Sequence, residues 1–329
     1  MNIMVLSPGR RVDIIDYLKK VFHQDGGRVL TLDMSPYAAA LYEGDKHFVI
    51  EKDFTNLKAY MLNIIEICKY EQVNAIMTLI DPELSLLAEY SEALKKAGIT
   101  PIISDNEMIQ ACFDKYGFYK TFNGVIKVVK TYNGYTEVRE ALEKNEVKFP
   151  LFAKIRCGSG SAGIGKVEDE LALESYKNQE NYIFQPFIKG KEYGVDMYFD
   201  MLEGKVKALF IKEKLGMRAG ETDKAISVYR EDISALVMKL EAFKFKGPID
   251  VDVFESENGE LFINEINPRF GGGYPHAYHA GVNFMEMLYE NLKGKTVEKS
   301  TKAYKEGLIM LKHNDAKYLE KEALRDKEW

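Results

Sequence analysis

Residues 249–254 read Ile249-Asp250-Val251-Asp252-Val253-Phe254, and residues 261–269 read Leu261-Phe262-Ile263-Asn264-Glu265-Ile266-Asn267-Pro268-Arg269. The polar segment between them contains Asn258-Gly259, a pair that favours the positive φ of a tight hairpin turn. The pattern predicts two antiparallel strands. Side chains alternate along a strand, so Asp250 and Asp252 share one face, as do Glu265 and Asn267. Val251, Val253, Ile263 and Ile266 imply a second, buried face. If the two polar pairs lie on the same side, three carboxylates and an amide surround one point. Oxygen atoms at that density repel one another unless a cation sits among them. Mg2+ takes one or two carboxylates together with phosphate oxygens, so the hairpin predicts a magnesium–nucleotide site. The alternative is a solvated hairpin face, which the apolar side argues against.

The 329 residues are enough for two or three domains with their own cores. Apolar residues make up 46% and charged residues 29%, as in ordinary globular proteins. A net charge of −6 excludes general nucleic-acid binding, which needs a basic surface. Cys68, Cys112 and Cys157 are far apart and form no Cys-x-x-Cys pair, which fits a reducing compartment. No signal peptide and no apolar run of membrane-spanning length is read, so the expected location is cytoplasmic.

Residues 2–6, 28–33, 46–50, 73–80 and 100–103 read as strands, and 12–22, 57–69 and 85–98 as helices. The alternation predicts a doubly wound parallel sheet that binds ligands beyond its carboxyl-terminal strand ends. The residues there are Gly9, Arg10, Arg11, Asp33, Asp81 and Glu83. A dinucleotide site is disfavoured, because one glycine after the first strand is not Gly-x-Gly-x-x-Gly. Further on, 125–132 reads as a strand and 134–145 as a helix. His276 and His279 raise a zinc reading, but no third soft ligand is nearby.

Lys154 lies on a predicted strand that runs into Cys157-Gly158-Ser159-Gly160-Ser161-Ala162-Gly163-Ile164-Gly165-Lys166. Such a glycine-rich loop exposes backbone N–H groups of the kind that cradle a polyphosphate. Gly160 to Lys166 matches a Walker A loop up to its last residue. There Val167 stands where Ser or Thr should ligate Mg2+, and Lys154 would gain no role.

Asp252, Glu265 thirteen positions on, Asn267 and Pro268-Arg269 resemble the metal-binding signature of the ATP-grasp enzymes. Glu-Ile-Asn-Pro-Arg before a glycine-rich loop resembles the carbamoyl-phosphate synthase large-subunit branch, here as a single unit. The resemblance implies a doubly wound N-terminal domain (1–104) followed by an ATP-grasp fold of two α+β subdomains, a small one (105–190) and a large one (191–329). It implies ATP and Mg2+ as cofactors, with Mn2+ able to substitute, and Asp252, Glu265 and Asn267 as metal ligands. Lys115, from Asp114-Lys115, and Lys154 would contact the phosphates. Gly158, Ser159, Gly160, Ser161 and Gly163 would close over them. Gln185, Pro186, Phe187 and Ile188 would face adenine, and Glu192 the ribose hydroxyls. Gln185 departs from the glutamate common in the family. Arg269, Lys154 and Arg218 are the expected catalytic residues. Arg218 comes from a polar stretch, 213–224, read as a mobile loop. Lys212 and Lys224 are further candidates near the phosphates, and Arg10 or Arg11 is one for a substrate carboxylate.

The chemistry implied is a carboxylate–amine ligation (EC 6.3 class). A carboxylate attacks the γ-phosphate, ADP leaves, and an amine displaces phosphate from the acyl phosphate. The expected partners are a small carboxylic acid and an amine or ammonia, with no nucleic acid or membrane. Family members often dimerise, so a homodimer is expected. A carbamoyl-phosphate synthase-like half enzyme and a nucleotide-binding module without turnover are the competing readings.

Overall fold

Short apolar runs build the first sheet of the computed structural model, which describes residues 1–158, 163–300 and 304–325. Its strands are β1 (Ile3–Leu6), β2 (Val29–Asp33), β3 (Lys46–Val49), β4 (Ala75–Thr78) and β5 (Thr100–Pro101). They are parallel in the order β3-β2-β1-β4-β5. Their nearly unbroken hydrophobicity follows from burial on both faces. Met4, Leu30 and Ile76 pack with Ile64 of the helix Leu57–Tyr70. Ile3, Val5, Val29 and Ala75 pack with Ile15 and Leu18 of the helix Val12–Phe22. Phe270, Tyr274 and Phe284 join that second cluster, so the N-terminal sheet and the chain after residue 269 share one core. The strand order reverses between β1 and β4, which opens a crevice at their carboxyl ends. The expected helix 85–98 is two helices, Asp81–Glu89 and Ser91–Lys96.

The second sheet is β6 (Tyr132–Asn133), β7 (Leu151–Ile155), β8 (Gly165–Val167) and β9 (Tyr182–Pro186), in the antiparallel order β6-β9-β7-β8. Of the strand expected at 125–132, only its end joins this sheet. The preceding backbone is drawn to the 249–269 hairpin instead: Ile263 N donates to Lys127 O at 2.9 Å, and Val129 N to Ile263 O at 3.2 Å.

The third sheet holds β10 (Gly190–Phe199), β11 (Val206–Arg218), β12 (Glu221–Ser227), β13 (Gly247–Ser256), β14 (Leu261–Asn267) and β15 (Ile309–Leu311), in the order β14-β13-β10-β11-β12-β15. The helices Asn106–Phe113 and Lys115–Phe122 bury Met108, Cys112, Phe118 and Phe122 against it. The stretch 213–224 is not a loop but the β11–β12 hairpin. It turns at Ala219 and Gly220, whose φ values are 49° and 77°, the pair of positive angles that a two-residue hairpin turn requires.

The predicted hairpin is β13–β14, with Asp250 opposite Asn267 and Asp252 opposite Glu265. Its register slips once, so that Val253 faces Ile263 and Asn264 is the extra residue. This bulge lets Ile263 and Ile266, of opposite parity, both be buried. The described part of the C-terminal tail after β15 has one short 3-10 turn, Lys321–Arg325.

Candidate active site

The three sheets and the N-terminal crevice surround a cleft of about 560 Å3. Its lining includes Lys115, Lys154, Gly158, Glu192, Arg218, Asp252, Glu265, Asn267 and Arg269 from the sequence reading. Gln185, Pro186, Phe187, Ile188 and Gly163 are not part of that lining. The Gln185 side chain is buried and donates from Nε2 to Thr131 Oγ1 at 2.9 Å. Ser159, Gly160 and Ser161 fall outside the described residues.

At the small-sheet wall, Lys154 extends from β7 and donates from Nζ to Asn264 Oδ1 at 2.9 Å. The β14 bulge turns Asn264 into the cleft beside Glu265, which strict alternation would not. Lys154 is buried, and the loss of water pulls its pKa down to about 8, against the nearby Glu265 carboxylate. Lys115 Nζ donates to Gly158 O at 2.8 Å. Asp114 caps the helix behind it and takes both arms of Arg156 at 2.8 and 2.6 Å. That bidentate clip fixes the end of β7 to the helix that presents Lys115.

The floor is the polar face of the third sheet. Asp250, Asp252, Glu265 and Asn267 come from β13 and β14, Glu192 from β10 and Lys214 from β11. Burial and the neighbouring Asp250, Glu192 and Glu265 push the Asp252 carboxyl upward, while Lys214 opposes them. Lys214 is itself desolvated, yet Asp252 and Glu192 hold it firmly charged. Among the described residues, no three His, Cys, Asp or Glu side chains are grouped to hold a metal by themselves. Two carboxylates and an amide facing a polar cleft do fit Mg2+ completed by phosphate oxygens. A cation there would also relieve the crowded acids.

The far end is built by Arg11, Asp81, Glu221 and Arg269. Arg269 Nη2 pairs with Asp81 Oδ2 at 2.9 Å, and Arg11 Nε with Glu221 Oε1 at 3.2 Å. Both arginines also donate to one acceptor, the Phe270 carbonyl, at 3.1 and 3.3 Å. Two like charges are thus held side by side between two acids. Arg10 is exposed. Arg218 is exposed at the rim and donates to Asn314 Oδ1 at 3.1 Å. Lys212 is fully buried and pairs with Asp196.

The glycines after Arg269 make room for neighbouring side chains. A Cβ on Gly271 would lie 2.4 Å from Asp250 Cγ, on Gly272 2.8 Å from Glu221 Cγ, and on Gly273 2.7 Å from Lys212 Cε. Asp33 and Glu83 are absorbed structurally. Asp33 accepts from Gly9 N at 3.2 Å, and Glu83 from Ser7, Tyr60 and Thr78 at 2.9, 3.1 and 2.6 Å. His276 is buried with its Nε2 2.9 Å from Leu308 O, and His279 meets the Tyr17 hydroxyl at 3.1 Å. Sequence reading missed Lys214 and Asn264. The alternation of Lys212 and Lys214 was the available signal for the first.

Residues 3–102 match a family described as the PylC-like N-terminal domain, and residues 178–316 one described as ATP-grasp in the biosynthetic pathway with Ter operon. A D-alanine–D-alanine ligase of Sulfurimonas denitrificans is 32% identical over 178 residues, 48% of this chain and 52% of that protein. The chain thus spans about half the length of this curated relative. The biotin carboxylase domain of a Hydrogenobacter thermophilus 2-oxoglutarate carboxylase, solved as a dimer with MgADP and bicarbonate, superposes with a TM-score of 0.77 at 16% identity. That match covers 94% of this chain and 73% of the other. The N5-carboxyaminoimidazole synthetase of Staphylococcus aureus gives a TM-score of 0.71 at 17% identity, covering 91% and 78%. No helix among the described residues is long and apolar enough to cross a membrane. The chain is thus similar over residues 3–102 to the PylC-like N-terminal domain and over residues 178–316 to an ATP-grasp family, and it shares the fold of these solved structures.

Proposed function

We propose that this chain is an ATP- and Mg2+-dependent ligase that joins a small carboxylic acid to an amine or ammonia through an acyl phosphate. The observation that carries the reading is the convergence, in one cleft, of two lysines, the carboxylate and amide oxygens of Asp252, Glu265 and Asn267, and the paired Arg11 and Arg269. Asp252, Glu265 and Asn267 would hold Mg2+, which when bound neutralises phosphate charge. Lys115 and Lys154 face the space between the small and large sheets, where they can neutralise a triphosphate. Arg269 and Arg11, across the cleft, are placed to hold the attacking carboxylate or the oxyanion that develops from it. A carboxylate oxygen bonds to the γ-phosphorus as the bond to the β,γ-bridging oxygen breaks, and ADP leaves. The amine lone pair then attacks the acyl carbon, phosphate departs, and the nitrogen loses a proton. Such chemistry needs charge neutralisation and exclusion of water more than a general base.

The test is incubation with Mg-ATP, a panel of carboxylic acids and hydroxylamine, reading ADP and hydroxamate. Acid-dependent ADP with hydroxamate supports the ligase. Acid-independent hydrolysis, or ATP bound without turnover, overturns it.

A further inference from the structure

Lys214 occupies an unusual place in the floor of the cleft. Its Nζ lies 2.6 Å from Asp252 Oδ1 and 2.7 Å from Glu192 Oε1, and its side chain is 5% exposed. The backbone alone does not bring these groups together. Lys214 is on β11 and Asp252 on β13, and β10 runs between those strands. Two interstrand spacings separate them, about 10 Å. The lysine must cross β10 to reach the aspartate.

Gly194 makes that crossing available. On β10 it is paired with Lys212 on one side and with Asp252 on the other. A Cβ at Gly194 would lie 3.0 Å from Lys212 Cε and 3.3 Å from Lys214 Cε. A missing side chain on the middle strand is thus the passage through which an ammonium reaches a prospective metal ligand.

From this geometry we infer that Lys214 is a built-in surrogate for the metal, competing with the divalent cation for Asp252. The inference rests on the reading of Asp252 as a metal ligand. A buried carboxylate cluster without a counter-cation is strongly destabilised. Lys214 supplies a single positive charge on an unbranched, flexible stem. When a divalent cation binds Asp252, the ammonium loses its best partner. It can keep Glu192 or turn to an anion in the same cleft, and a polyphosphate is such an anion. Metal alone therefore binds weakly, because it must displace Lys214. Metal with nucleotide binds well, because the displaced ammonium gains the phosphates. Lys214 thereby couples metal occupancy to nucleotide occupancy.

The experiment is a titration of the full chain with Mn2+, free Mn2+ being read from its electron paramagnetic resonance signal. It is run with and without a non-hydrolysable ATP analogue, and far-UV circular dichroism checks the fold of each variant. Lys214→Met and Lys214→Gln are expected to bind Mn2+ without nucleotide at least tenfold more tightly than wild type. Lys214→Arg, which keeps the charge, is expected to stay near wild type. With the analogue present, the gain of the neutral variants should shrink or reverse. Unchanged or weaker Mn2+ affinity in both neutral variants, with Asp252→Asn losing the metal, overturns the role of Lys214 and leaves the metal reading intact. Mn2+ binding that survives Asp252→Asn, with or without the analogue, overturns the metal reading and this inference with it.

Discussion

Lys154 and Asn264 join two sheets through one hydrogen bond of 2.9 Å, from the ammonium on β7 to the amide oxygen at the β14 bulge. A bond from a charged donor contributes about 1.5–3 kcal/mol. Asn264→Ala should therefore weaken nucleotide binding by roughly tenfold while leaving the fold intact. Isothermal titration with an ATP analogue, beside a thermal melt, checks this.

The same lysine predicts a pH dependence. Burial lowers its pKa to about 8 in the folded chain, against about 10.4 when solvated. Between those values the unfolded chain binds more protons, so Lys154 makes stability rise with pH across that window. Nucleotide affinity should run the other way, falling as pH rises through about 8 and the ammonium is lost. Lys154→Met should abolish this component of the affinity profile, measured by titrations from pH 6.5 to about 9.5.

The half-buried Arg269–Asp81 pair ties the β13–β14 hairpin to the N-terminal domain. Asp81→Ala leaves a largely desolvated guanidinium without its partner and should cost about 3 kcal/mol of stability. The double variant Asp81→Leu/Arg269→Met should recover most of the loss in a denaturant melt and still lack acid-dependent ADP formation.

Gly271 is required by its neighbour and not by its backbone angle. A methyl group there would meet Asp250 Cγ at 2.4 Å, so Gly271→Ala should lose about 1–3 kcal/mol by overpacking. Gly259 has open space around it but a φ of 81°, and Gly259→Ala should lose about 1–2 kcal/mol. The two are separated by nucleotide affinity, which only the first should reduce, because only it displaces a side chain in the cleft.

How much of this was legible in the sequence varies by element. The hairpin, and the shared faces of Asp250 with Asp252 and of Glu265 with Asn267, followed from Asn258-Gly259 and a period of two; that the two pairs meet on one side was a condition, and the register that meets it includes the bulge at Asn264. The N-terminal parallel sheet followed from alternating strand and helix patterns. Strict alternation could not bury both Ile263 and Ile266, a conflict in the sequence itself. Its resolution, a bulge that turns Asn264 into the cleft, depends on packing against Val253. Lys214 was hidden because Glu213 to Lys224 is polar enough to read as a loop, whereas pairing between β11 and β12 makes it a hairpin. The role of Gly271, Gly272 and Gly273 was equally hidden. The side chains that need their space come from positions 250, 221 and 212, which only the fold brings near.

The most direct measurement is magnesium-dependent ATP-analogue binding by wild type and by Glu265→Gln, followed by calorimetry with and without Mg2+. The wild type should need Mg2+ for tight binding, and the variant should lose that dependence, with affinity at least tenfold lower in its presence. Equal affinities for the two proteins, or binding indifferent to Mg2+ in both, would contradict the account.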